Sequence, residues 1–371
     1  MTLRNRVHFN NLSELHSKMK NELVAVFEHA IATSDFVMGP AVQEFEEKFA
    51  DLHGSHEPAV AVGSGTDALI LTLRALGIGP GDSVIVPAFT FVATAEAVVN
   101  VGAKPIFVDV DPRTLLIDYD SVEDAIEPSV KCIIPVHLYG HLVPRSYIKE
   151  WSSRMIVIED AAQAHLASWG KSQLGSESHA ATFSFYPGKN LGALGDGGAV
   201  ISKDREVLER IRKLRDHGGL EKYRHDLVGT TSRLDSIQAA FLSLKLAHLP
   251  KWNVQRNEIA AYYLSCLEGT ERIRVVPWSQ GSVHHLFVVL VSDDLRSEVV
   301  RHLSNADIDF GIHYPYALTQ LPPFRRAEVS CPIAERSASQ VLSLPMHPLL
   351  ARHDIERVCE TVIGAVRSKT L

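Results

Sequence analysis

The chain has 371 residues, 46% apolar and 22% charged. These values are close to globular averages and exclude wholesale disorder and collagen-like or low-complexity architectures. At about 150 residues per domain, the length predicts two domains, or one large domain with an appendage. The net charge is −7 and no run of Lys and Arg is long enough to follow a phosphate backbone, so nucleic acid is not an expected partner.

Cys132, Cys266, Cys331 and Cys359 are widely spaced and form no C-x-x-C pair. This argues against a disulfide framework and a zinc site, and points to the reduced cytosol. The 18 histidines lack ligand spacing, and the adjacent His284 and His285 would face opposite sides of a strand, so no metal is expected. The N-terminal stretch MTLRNRVHFNNLSELHSKMK lacks the apolar core of a signal peptide, and no run of 18 apolar residues occurs. A cytoplasmic protein without a membrane span is the expectation.

In chain order, β-type runs fall at Ala59–Val62, Val84–Val86, Ile106–Val108, Cys132–Val136, Met155–Ile158, Thr182–Phe185 and Ala199–Ile201, each near Gly, Pro or Asp. Helical patterns lie between them: Thr66–Leu76, with Leu69, Thr72, Leu73 and Leu76 on one face; the Ala/Val-rich Ala93–Val101; and Asp204–Leu214, with Val207, Leu208, Ile211 and Leu214 at helical spacing. This alternation, with strands that lack polar interruptions, predicts a largely parallel sheet covered by helices on both faces. After Arg215 comes a polar, Gly-containing loop, then an amphipathic helix over Leu234–Leu249. From about Lys251 the chain mixes a helix (Asn253–Leu267), a strand (Leu286–Val291), a helix (Leu295–Leu303) and the Pro-rich HYPYALTQLPPF. It reads as a smaller α+β unit, giving domains of 1–250 and 251–371.

Three segments could carry chemistry. Gly63-Ser64-Gly65-Thr66 sits between a strand and a helix, where small residues, free N–H groups and the helix dipole suit a phosphate; a turn capped by Ser64 or Thr66 is the alternative. The G-x-G-x-x-G fingerprint is absent, which disfavours nicotinamide chemistry. In MIVIEDAAQAH a strand ends at Glu159-Asp160 with Gln163 three residues on. In open α/β sheets such strand ends face the cleft, although Asp160 could equally cap a helix. In ATFSFYPGKNLGALGDGGAV a strand delivers Ser184 and Tyr186, and Lys189 follows in a turn where five glycines fall between residues 188 and 198. A lysine desolvated there would have the lowered pKa of Schiff-base lysines; a surface lysine whose stem covers the sheet edge is the alternative. Jointly, a phosphate cradle, an acid at a strand end and a lysine in a Gly-rich turn are the parts that pyridoxal phosphate needs.

The stretch from VGSGTDALILTLRALGIGPGDSVIVPAFTFVATAEAVVNVGAKPIFVDVD through VIEDAAQAH, FSFYPGKNLGALGDGGA, RLDSIQAAFLSLKL and GIHYP closely resembles the DegT/StrS-type (DegT/DnrJ/EryC/StrS) family of nucleotide-sugar aminotransferases. The resemblance runs from Val62 to Pro315. It implies a fold-type-I pyridoxal-phosphate enzyme: a large domain with a mostly parallel seven-stranded sheet, a small C-terminal α+β domain, and a homodimer with active sites at the subunit boundary. By motif, Lys189 matches the Schiff-base lysine and Asp160 the partner of the pyridine nitrogen. Gln163 is expected near the ring hydroxyl, Gly65, Thr66 and Ser184 at the phosphate, and Phe91 stacked on the ring, unless Phe91 is simply core.

Two positions depart from the family pattern. Thr231 stands where many members carry the Asn of G-x-N-x-R-L-D, which reaches the neighbouring subunit's phosphate; a hydroxyl is shorter than a carboxamide. Leu166 stands where HGA is more usual, and Leu takes positive φ less cheaply than Gly. Related sugar 3-dehydrases carry His in place of the lysine, so Lys189 implies amino transfer, with glutamate as the usual donor. The run KNLGALGDGGA resembles members acting on 3-keto sugars, so a dTDP-3-keto-6-deoxyhexose is the expected acceptor. A dTDP- or UDP-4-keto sugar, or a non-catalytic regulatory paralogue, are the alternatives. His313, Tyr314, Tyr186 and residues of the 216–232 loop are the expected acceptor contacts.

Overall fold

The computed structural model describes residues 6–325 and 329–368. The seven apolar runs form one sheet: β1 (Val60–Val62), β2 (Ser83–Pro87), β3 (Lys104–Val108), β4 (Val130–Ile133), β5 (Ile156–Asp160), β6 (Ala180–Ser184) and β7 (Gly198–Ile201). Their spatial order is β1-β7-β6-β5-β4-β2-β3. Neighbouring strands from β3 across to β6 pair parallel, and β7 alone runs against both of its neighbours.

Both faces of the sheet are covered, and for that reason the strands lack polar alternation. Val60 and Val62 pack with Val200, Val207, Leu208 and Ile211 on one face. On the other, Ala61, Phe183, Ala199 and Ile201 pack with Phe45, Phe49 and Leu242. Odd and even residues of one strand thus enter different cores. The helices Gly65–Ala75, Ala93–Asn100, Arg205–Arg215 and Ser236–Leu246 fall within a few residues of the sequence patterns. Three helices precede the sheet, Leu12–Lys18, Lys20–Thr33 and Pro40–Leu52, where no element was predicted.

After the helix Leu249–Leu267, a second, antiparallel sheet of β8 (Ile273–Val275), β9 (Phe287–Val291) and β10 (Val341–Leu344) forms in the order β8-β9-β10. Its core includes Tyr263, Phe287, Leu303, Leu342 and Val358. Residues 7–9 run alongside this C-terminal part: Val7 exchanges backbone hydrogen bonds with Asp307 and Asp309, each 2.9 Å, and the Met346 N–H donates to the Phe9 carbonyl at 3.1 Å. Among the described residues no helix is long and apolar enough to cross a membrane.

Candidate active site

The parallel strands β5 and β6 end side by side, with Asp160 in register with Thr182. Asp160 is therefore delivered to the carboxyl edge of the sheet two residues from Ser184, where a doubly wound sheet opens its crevice. No helix follows Asp160, so it is not a helix cap. Its Oδ1 accepts the Ala162 N–H at 3.1 Å and its Oδ2 the Thr94 hydroxyl at 2.9 Å. Burial pushes this carboxyl above the usual range. The Ala162 N–H, the Thr94 hydroxyl and the nearby Lys189 and His137 pull against that shift.

In the turn after β1, Ser64 caps the helix Gly65–Ala75, its Oγ accepting the Asp67 N–H at 3.0 Å. The capped-turn reading of this segment is therefore met by Ser64. The cap fixes the helix start, and the N–H groups of Gly65 and Thr66 in the first turn keep no intrahelical acceptor. The helix start presses against β6 so closely that a Cβ on Gly65 would lie 2.6 Å from the Ser184 Cβ.

Lys189 follows β6 in the turn that Pro187 and Gly188 open. It is half-buried rather than on the outer surface, and loss of water pushes its ammonium down to about 8 against the opposing pull of Asp160. Gly65, Thr66, Phe91, Asp160, Gln163, Ser184, Tyr186, Lys189, His313 and Tyr314 all line one cavity of about 610 Å³, within the range of small-molecule sites. Phe91 is 52% exposed, which rules out the buried-core alternative, and its ring lies 5.7 Å from that of Tyr314.

Gln163 is fixed at both ends: its Oε1 accepts the Tyr139 N–H at 2.5 Å and its Nε2 donates to the Tyr314 hydroxyl at 3.1 Å. His313 hydrogen-bonds through Nδ1 to the Ser343 hydroxyl at 2.9 Å and stacks on Phe9. Burial pushes its imidazole down to about 4. The cavity does not gather everything predicted. No residue of the 216–232 loop lines it, and Thr231 is exposed, with Oγ1 2.9 Å from His217 Nε2. Leu166 takes a left-handed conformation, with φ of 63°, at a cost of about 1–2 kcal/mol relative to Gly.

The DegT/DnrJ/EryC1/StrS aminotransferase family model matches residues 17–363. The chain belongs to this family. Among curated relatives of this aminotransferase, dTDP-3-amino-3,4,6-trideoxy-alpha-D-glucose transaminase of Streptomyces venezuelae is 42% identical over 364 residues, covering 96% of this chain and 95% of the relative. A pleiotropic regulatory protein of Geobacillus stearothermophilus is 40% identical over 359 residues, 95% of this chain and 96% of the relative. The solved structure of S. venezuelae DesV in complex with a ketimine intermediate superposes with a TM-score of 0.92 at 42% identity, covering 98% of each chain. The chain is thus a pyridoxal-phosphate-dependent nucleotide-sugar aminotransferase.

The family's cofactor fits the residues present. The cavity offers N–H donors at one end, an amine of lowered pKa beside them, and a carboxylate with lone pairs left over after its two hydrogen bonds. Four further contributors in the aminotransferase escaped sequence reasoning. Thr94 orients Asp160. Tyr139, at φ of 64°, turns its N–H onto Gln163. Phe9 and Asn10 reach the cavity from the N-terminal segment, and Asn10 Nδ2 donates to the Gly188 carbonyl at 3.0 Å. Only chain topology brings these together, and no local period or spacing announces it.

Proposed function

We propose that this enzyme moves an amino group from glutamate to the keto group of a nucleotide-linked deoxysugar, with a dTDP-3-keto-6-deoxyhexose as acceptor. The observation that carries the reading is the meeting of Lys189, Asp160 and the Gly65-Thr66 helix start in one cavity. The 3-keto assignment draws support from the name of the S. venezuelae relative, which puts the new amine at position 3.

When bound, pyridoxal phosphate supplies an aldehyde that carries the amino group and a ring that takes up electron density. In our reading Lys189 would hold that aldehyde, and its Nζ would accept and return a proton, a task suited to a group titrating near the working pH. Asp160 would accept a hydrogen bond from the pyridine nitrogen and keep it protonated. Gly65, Thr66 and Ser184 would hold the phosphate, Gln163 the ring hydroxyl, and Phe91 would cover the ring face. His313, Tyr314 and Tyr186 border the acceptor side, which residues 251–371 close over the platform formed by residues 1–250.

We further propose a homodimer. Val24, Phe27 and Ile31 are exposed on one face of the helix Lys20–Thr33, and Phe36, Val37 and Met38 continue that apolar surface. The apolar side chains of the 216–232 loop, Leu220, Tyr223 and Val228, are also exposed. The loop absent from its own chain's cavity is thus free to complete the partner's, and Thr231 is its contact there. Four unpaired cysteines accord with a cytoplasmic setting.

In the test of this reading, Lys189→Ala loses both the visible absorbance of lysine-bound cofactor and turnover with glutamate and a dTDP-3-keto sugar. Retention of both in the purified variant would overturn it. The regulatory reading, suggested by the name of the G. stearothermophilus relative, requires wild-type protein that stays colourless with added cofactor.

A further inference from the structure

Behind the Lys189 turn lies a second, smaller space of about 20 Å³, bordered by Lys189, Asn190, Lys245, Arg256 and His347. Lys245 and Arg256 are 2% and 3% exposed, and neither makes an ion pair or hydrogen bond with a carboxylate among the described residues. By contrast, the comparably buried Arg215 pairs with Glu46. Lys245 Nζ donates to the Gly192 carbonyl at 2.7 Å and lies 2.9 Å from His16 Nε2, which leaves one of its three ammonium donors unused. Arg256 Nη1 serves the carbonyls of His284, His285 and Met346 at 3.1–3.3 Å, while Arg256 Nε and His347 Nδ1 have no partner.

Two buried cations beside a polar hole, with unused donors and no compensating carboxylate, are costly as they stand. A space of this size holds one water-sized particle and is too small for sulfate or phosphate. Water would take up donors but return no charge. We propose that the space is a halide site, holding one chloride or bromide ion between Lys245 and Arg256. Burial alone pushes Lys245 down to about 8 and Arg256 down to about 10, and a bound anion would offset that pressure on both. The site adjoins the cofactor cavity, with Lys189 and Asn10 in both linings, and does not depend on the identity of the acceptor.

Holoenzyme crystals grown in bromide test the proposal, because the bound cofactor already fills the catalytic anion position. The expected result is an anomalous bromine peak in the space between the Lys245 and Arg256 side chains, absent in Lys245→Met. In solution, the wild-type holoenzyme should gain about 2 °C or more in Tm at saturating bromide, with no gain in methanesulfonate of equal ionic strength. No peak in the space, bromide bound at exposed side chains only, or equal gains with both anions would overturn it. Should Lys245→Met fail to fold, the wild-type diffraction decides alone.

Discussion

The reactivity proposed for Lys189 would come from missing water rather than from a neighbouring cation: burial lowers its ammonium to about 8, against the pull of Asp160. Only the neutral amine attacks an aldehyde. The rate at which apoprotein develops the visible cofactor absorbance should therefore climb with pH and level off above about 8, whereas an ordinary exposed lysine would keep climbing towards 10. Stopped-flow absorbance across pH 6–10 gives the midpoint. Asp160 shows the complementary strain. Its carboxyl is raised by burial, so in the apoprotein the ionised form is held at a cost to folding. Asp160→Asn is expected to leave the apoprotein Tm unchanged or higher while turnover falls on the order of 10²-fold or more. A fall in both would show that the carboxylate is structural.

At the scale of elements, the decisive contact is that between the helix Gly65–Ala75 and β6. Gly65→Ala would set a Cβ 2.6 Å from the Ser184 Cβ and push the helix start away from the position proposed for the phosphate. Cofactor affinity, read by equilibrium dialysis, should weaken about tenfold or more while the far-ultraviolet circular dichroism of the folded protein is retained. Unchanged affinity would remove the cradle from the account. The seven strands of the main sheet were legible in the sequence because each is a short apolar run near Gly, Pro or Asp, mostly buried on both faces, with the edge strand β3 only partly so. The helices Lys20–Thr33 and Pro40–Leu52 were not. The first has several apolar residues facing outward, so its pattern does not mark a core face. Asp160 and Lys189 could be found because strand ends and Gly-rich turns mark them locally. Thr94, Tyr139 and Asn10 could not, since each acts through a contact across 66, 24 or 178 positions.

Across the whole molecule, the histidines form a population rather than a site. His53, His141, His165, His284, His285, His313 and His347 are all pushed below the ordinary imidazole range, six of them to about 3 or 4, mainly by burial. Between those values and 6.5 the unfolded chain binds more protons than the folded one, so stability falls as pH falls from about 7 towards 4. Urea midpoints should be markedly lower at pH 5 than at pH 7. His141, whose two ring nitrogens have no partner, should lose part of that sensitivity as His141→Phe; an equal drop in both proteins would contradict the assignment. The exposed apolar surface of the N-terminal helices makes a second claim at this scale. If the proposed homodimer forms through this face, Phe27→Arg together with Ile31→Glu should shift the sedimentation of the enzyme from dimer to monomer and lower turnover with it. An unchanged sedimentation coefficient would exclude this face. The central claim meets its most direct test in mass spectrometry of the products formed from ¹⁵N-glutamate with the 3-keto and the 4-keto dTDP-6-deoxyhexoses in turn. The account predicts ¹⁵N-labelled amino sugar from the 3-keto substrate; label appearing only in the 4-keto product, or in neither, would contradict it.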